Sequence, residues 1–89
     1  MKIKLLYFGR PADRLKITHE LLDFPTAHLS EEAATLADLL AWLRLRGAEW
    51  EHELAEKKTR FAINQEFFDV QARITDGDEV AIFSPISGG

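Results

Sequence analysis

The residues with the most evident chemical capacity are the last six, Ser84-Pro85-Ile86-Ser87-Gly88-Gly89. Pro85 has no amide hydrogen and holds Ser84 extended, so a strand ending at Phe83 hands over there to an arm that leaves the sheet. At ~3.3 Å per residue six residues reach roughly 20 Å, far enough to enter another protein's active site. Gly88 and Gly89 have no Cβ, so a narrow channel can close around the backbone and either sign of φ is open next to a reacting carbonyl. The Gly89 carboxylate at the tip is an accessible nucleophile or an anchor for a leaving group. Alone, a Gly-Gly ending is more often a fraying terminus. It gains meaning only from the domain that precedes it.

Other chemistry-bearing residues are sparse. There is no cysteine, so the chain offers no disulfide, no thiolate ligand and no persulfide of its own. His19, His28 and His52 lack a ligand-type partner at helical spacing and read as surface or half-buried side chains, so no metal is expected. Asp76, Asp78 and Glu79 lack the later bidentate glutamate and the alternating ligands of a calcium loop. The glycines outside the tail form no phosphate-cradling loop, and no Ser/His/Asp arrangement suggests catalysis within the chain.

The elements that must position the tail are legible in the patterning. A chain of 89 residues is one domain in length, and 46% apolar with 29% charged residues is the balance of a folded, soluble protein. The start, Met1 to Phe8, superficially resembles a signal peptide, but its apolar run is short and leads into Gly9-Arg10-Pro11. A strand is the better reading. No stretch approaches the ~20 apolar residues of a membrane span, and a net charge of −4 with dispersed cations offers no face to nucleic acid. A cytoplasmic location is expected.

From Lys2 to Phe8 the period is two, with Ile3, Leu5 and Tyr7 towards the core and Lys2, Lys4, Leu6 and Phe8 on the other side. Pro11 to Leu22 reads as a helix, although an extended hairpin arm through Ile17 to Leu22 also fits, and Thr26 to Leu29 as a second strand. The clearest helix begins at Thr35, capped by its hydroxyl and favoured by Asp38, with Leu36, Leu39, Leu40 and Leu43 as its buried stripe, Leu45 following, and Gly47 as its stop. A short helical turn carries Trp50 and Leu54, with Glu53 facing Lys57. Phe61 to Asn64, a strand beginning at Phe67-Phe68, and Glu79 to Phe83 complete the set, with a Thr75-Asp76-Gly77-Asp78 turn before the last. A mixed sheet with one long helix across one face is the economical way to bury the leucines. The expected fold is therefore an α+β roll of the ubiquitin-like, β-grasp type, with residues 1–83 as the domain and 84–89 as its tail.

The run from Thr75 to Gly89 resembles the ending of molybdopterin synthase small subunits. Ala62-Ile63-Asn64-Gln65, Thr35 to Leu40 and Lys4 to Phe8 are similar to the same family, which is matched most weakly from Pro11 to Glu32. Ser84 stands where many members have a second proline. The related thiamine-pathway carriers also end in Gly-Gly but are shorter.

What the resemblance implies is a sulfur carrier for molybdenum cofactor biosynthesis that binds no cofactor itself. An E1-like enzyme would use ATP to adenylate Gly89, and a sulfur donor would convert the adenylate to a thiocarboxylate. The tail, with Pro85, Ile86, Ser87 and Gly88, would then enter the large subunit of a two-plus-two assembly and deliver sulfur to a pyranopterin precursor. The small subunit is a cosubstrate in that scheme, and the acid and base groups belong to its partner. Strand parity also gathers Leu6, Phe8, Ala81 and Phe83, with Phe67 nearby, on the sheet face away from the helix. Single exposed apolar side chains are ordinary, but a cluster of this size is the composition of a partner surface. The alternatives are a carrier for thiamine or tRNA thiolation, and a ubiquitin-like protein modifier.

Overall fold

The period of two in the first strand organises the molecule. The computed structural model describes residues 1–26, 34–55 and 59–84. Lys2–Tyr7 form β1, with Ile3, Leu5 and Tyr7 almost wholly buried and Lys2 and Lys4 exposed on the opposite face. Glu79–Phe83 form β5, which lies parallel to β1 with Leu5 beside Val80 and Leu6 beside Ala81. Arg60–Ile63 form β3 and Glu66–Phe68 form β4, both antiparallel additions on the far side of β5.

The segment from Pro11 to Leu22 departs from the helical reading. Gly9–Leu15 form a short helix, α1, and His19–Asp23 form a strand, β2, antiparallel to β1. Lys16 ends the helix in the left-handed region at φ 57°, its amide donating to the Ala12 carbonyl. Beyond it the backbone finds better partners along the free edge of β1 than in a continued helix, because each unpaired edge N–H and C=O must otherwise be met by water. The extended-arm alternative is the one adopted, and the five-stranded sheet has the order β2-β1-β5-β3-β4. No strand includes Thr26, and Ala27 to Leu29 lie outside the described residues.

Leu36–Arg44 form α2, which Thr35 starts with a reciprocal capping box. The Asp38 amide donates to Thr35 Oγ1 at 3.3 Å, and the Thr35 amide donates to Asp38 Oδ2 at 3.0 Å. Leu36, Leu39, Leu40 and Leu43 are fully buried and share one core with Ile3, Leu5, Tyr7, Val80 and Ile82. Leu45 does not extend the stripe, since it is 83% exposed. Gly47 is not the helix stop. The end of α2 tightens through Leu45 and Arg46 amides donating three residues back, while Gly47, at φ 148°, caps the start of α3, Ala48–Glu53. Glu53 likewise departs from its surface reading. It is 3% exposed and pairs with Arg10 of α1, while Lys57 lies outside the described residues.

Candidate functional site

The face of the sheet opposite α2 is built by strand pairing. Leu6 of β1 lies beside Ala81 of β5, Ala81 beside Ala62 of β3, and Ala62 beside Phe67 of β4, a single row across four strands. Paired residues point to the same side of a sheet. The two alanines make a shallow floor, and the larger side chains make its walls. Phe67 is 76% exposed and Phe8 51% exposed, while Leu6, Ala81 and Phe83 are half-buried. The Phe67 and Phe83 rings meet edge to face with centroids 5.8 Å apart, so each holds the other at the border of the floor. Of the five residues expected on this face, Leu6, Phe67, Ala81 and Phe83 are brought together on it by the strand pairing, while Phe8 follows the last residue of β1 as the exposed N-cap of α1. Ala62 was missed, although its parity opposite Phe61 and Ile63 marks it as the centre of the row.

Two residues beyond Ala81, β5 ends. Phe83 is the last strand residue, Arg60 is its partner across β3, and the Phe8 amide donates to the Ile82 carbonyl at 2.9 Å. Ser84 packs towards the start of α1, where a Cβ on Gly9 would sit 3.8 Å from Ser84 Oγ. That is ordinary contact, so the φ of 61° rather than lack of space favours glycine there. Pro85, Ile86, Ser87, Gly88 and Gly89 lie outside the described residues.

The register of β5, and with it the origin of the tail, is fixed by two turns. Asn64 and Gln65 both take positive φ, 51° and 71°, in the two-residue link between β3 and β4. The Asn64 amide group then donates to Asp78 Oδ1 at 2.9 Å and accepts from the Glu79 amide at 3.0 Å. Asp78 in turn accepts from the Thr75 amide at 2.8 Å, and Gly77 takes the φ of 90° that closes the turn. Asn64 thus ties the β3–β4 hairpin to the first residue of β5.

Charge on the open face is mostly neutralised within the chain. Lys2 pairs with Asp23 at 3.1 Å and Lys4 with Glu79 at 3.7 Å. The Asp23 carboxyl is held below its usual range by the hydrogen bond from Lys2. A second cluster lies under the sheet. Arg46 forks onto Glu20 of β2 at 2.7 and 3.0 Å, with its guanidinium carbon 4.6 Å from the Trp50 ring centroid and 5.2 Å from that of Trp42. Tyr7 donates to the same carboxylate at 2.9 Å. The Arg46 hydrogen bonds hold Glu20 below the ordinary glutamate range, and burial, reinforced by the Glu20 charge, pushes Tyr7 well above the ordinary tyrosine value. Sequence reasoning missed this cluster, because its members are brought together only by the fold. Among the described residues no group of three or more histidines and carboxylates is placed to hold a metal, and no helix is long and apolar enough to cross a membrane.

Against this geometry, the profile of the ThiS family matches residues 5–89, from within β1 to the last glycine. This chain belongs to the ThiS family. A relative named molybdopterin synthase sulfur carrier subunit, from Haemophilus influenzae, is 32% identical over 81% of this chain and 89% of its own length. Among solved structures, SAMP1 of Haloferax volcanii, a small archaeal modifier protein, superposes with a TM-score of 0.76 at 21% identity, over the whole of both chains. A complex of subunits 1 and 2 of the molybdopterin-converting factor from Helicobacter pylori contains a chain that superposes at 0.65, also at 21% identity and over the whole of both chains. At those identities the superpositions establish the fold, a ubiquitin-like β-grasp, as the sequence patterning implies.

Proposed function

We propose that this ThiS-family chain is the sulfur-carrier subunit of a molybdopterin synthase, with the Gly89 carboxylate as the group that carries sulfur. The observation that bears most weight is the 32% identity to a molybdopterin synthase sulfur carrier subunit over most of both chains. The absence of cysteine from all 89 residues adds a chemical argument, since the chain has no thiol on which to hold transferable sulfur. In this reading an oxygen of the Gly89 carboxylate attacks the α-phosphorus of ATP on an E1-like enzyme, and pyrophosphate leaves. A donated sulfur nucleophile at the hydrosulfide level then adds to the acyl carbon and AMP departs, leaving a thiocarboxylate. ATP is consumed by the partner and is not a resident cofactor.

The loaded tail next enters the large subunit, where its sulfur attacks the pyranopterin precursor. The domain supplies position rather than acid or base catalysis. Leu6, Phe8, Phe67, Ala81 and Phe83 dock the sheet, and Pro85, Ile86, Ser87 and Gly88 lead Gly89 into the channel. Two small and two large subunits make the working assembly, in the cytoplasm. The likeness to a small archaeal modifier protein favours one other reading, attachment of the same carboxylate to lysines. The distinguishing assay combines thiocarboxylated protein, large subunit and pyranopterin precursor, and measures dithiolene formed per tail consumed. Dithiolene in proportion to tail is expected. Transfer to a thiazole synthase instead, or isopeptide products alone, would replace the proposal.

A further inference from the structure

Among the described residues, the open sheet face carries an exposed charged side chain, Arg60, that no carboxylate answers. Lys2 and Lys4 are each paired with a carboxylate across a strand. Arg60 is exposed and lies beside Phe83 across the β3–β5 ladder, and its guanidinium has only a marginal 3.5 Å contact with the carbonyl of its neighbour Thr59. It therefore borders the apolar floor at the point where β5 hands over to the tail. On the other side of that point Gly9 packs towards Ser84, and the next residue, Arg10, is fixed through Nε by the nearly buried Glu53 carboxylate at 3.2 Å. Arg10 Nη1 and Nη2 have no partner among the described residues. The chain bears a net charge of −4, yet an exposed arginine stands beside the last residue of β5.

We infer that Arg60 is a specificity-determining contact of this face, docking onto a carboxylate at the rim of the channel that receives the tail. The inference rests on the proposed sulfur-carrier reading and names the chemistry of its partner surface. Aromatic side chains bordered by arginine are the composition of an interface centre. A planar guanidinium fork matches a carboxylate with two parallel hydrogen bonds, which a lysine cannot reproduce. The apolar floor gives area with little discrimination. The charge next to it rejects surfaces that offer a cation or an unpaired apolar group in that place.

The test measures binding of the intact chain to its large subunit at low and high salt, with wild type, Arg60→Glu, Arg60→Lys and Phe83→Lys, each checked by thermal melting. Arg60 is exposed, so its variants are expected to melt like wild type. Arg60→Glu should weaken binding about tenfold or more, flatten its dependence on salt, and be rescued by reversing an acidic residue at the channel rim. Arg60→Lys should recover only part of the loss. Wild-type affinity in Arg60→Glu, alongside lost binding in Phe83→Lys, would overturn the role of Arg60 and leave the docking face standing. Unchanged binding in both variants, or no complex with wild type, would overturn the reading of the face together with the inference.

Discussion

At the scale of single residues, the open face depends on parity, and parity makes a sharp prediction. Phe8→Lys and Phe83→Lys place a charge where the side chain already meets solvent or lies at the border of the floor, so both variants should melt within a few degrees of wild type while losing partner binding. Leu40→Lys puts an unpaired ammonium into a fully buried site and should cost about 4 kcal/mol or more, enough to unfold a domain of this size. Thermal melts read beside pull-downs with the large subunit separate the two classes. Unfolding of the Phe variants would mean that the strand faces are assigned the wrong way round. These faces were legible in the sequence because Ile3, Leu5 and Tyr7 against Lys2 and Lys4 admit only one period. Arg60 was not legible as a site residue. Its significance comes from its strand partner Phe83, 23 residues away, and from the pairing of Lys2 and Lys4 elsewhere.

At the scale of elements, the helix α2 was readable from its cap and stripe, whereas β2 was not. The apolar residues between Pro11 and Leu22 fit a loose helix and an extended arm alike, and the deciding term, pairing with the edge of β1, is not local. Glu20 ties β2 to the link between α2 and α3 through Arg46, and to β1 through Tyr7. Glu20 is held below its ordinary range, first by the Arg46 hydrogen bonds. Its stabilising contribution is therefore complete above the unfolded value near 4.5 and is lost as pH falls through the lowered folded value. Tyr7 has the opposite sense. Its raised folded value makes its contribution complete below about pH 10 and progressively lost as pH rises beyond it. Glu20→Gln should lower stability at neutral pH by about 1–3 kcal/mol and flatten the fall in stability below pH 4.5, as followed by urea denaturation across pH. An unchanged acid limb would show that the cluster does not hold β2.

At the scale of the whole molecule, the fold fixes the position of one strand end, that of β5. β5 runs at the centre of the sheet, its register is tied by Asn64 and Asp78 at one end, and its last residue stands between an apolar floor and the start of α1. The domain type was legible because the order of strands and the leucine helix leave few other ways to bury one face. The tail reading rests on composition and on the family its ending resembles, and residues 85–89 lie outside the described residues. Sulfur chemistry at Gly89 is the central claim, and intact mass spectrometry tests it most directly. The chain is incubated with its activating enzyme, ATP and a sulfur donor, beside a variant lacking Gly89. The wild-type chain should gain the mass difference between one sulfur and one oxygen, and the truncated chain should gain nothing. An equal gain in both would place the sulfur elsewhere, and no gain in either, with ATP consumed, would contradict the account.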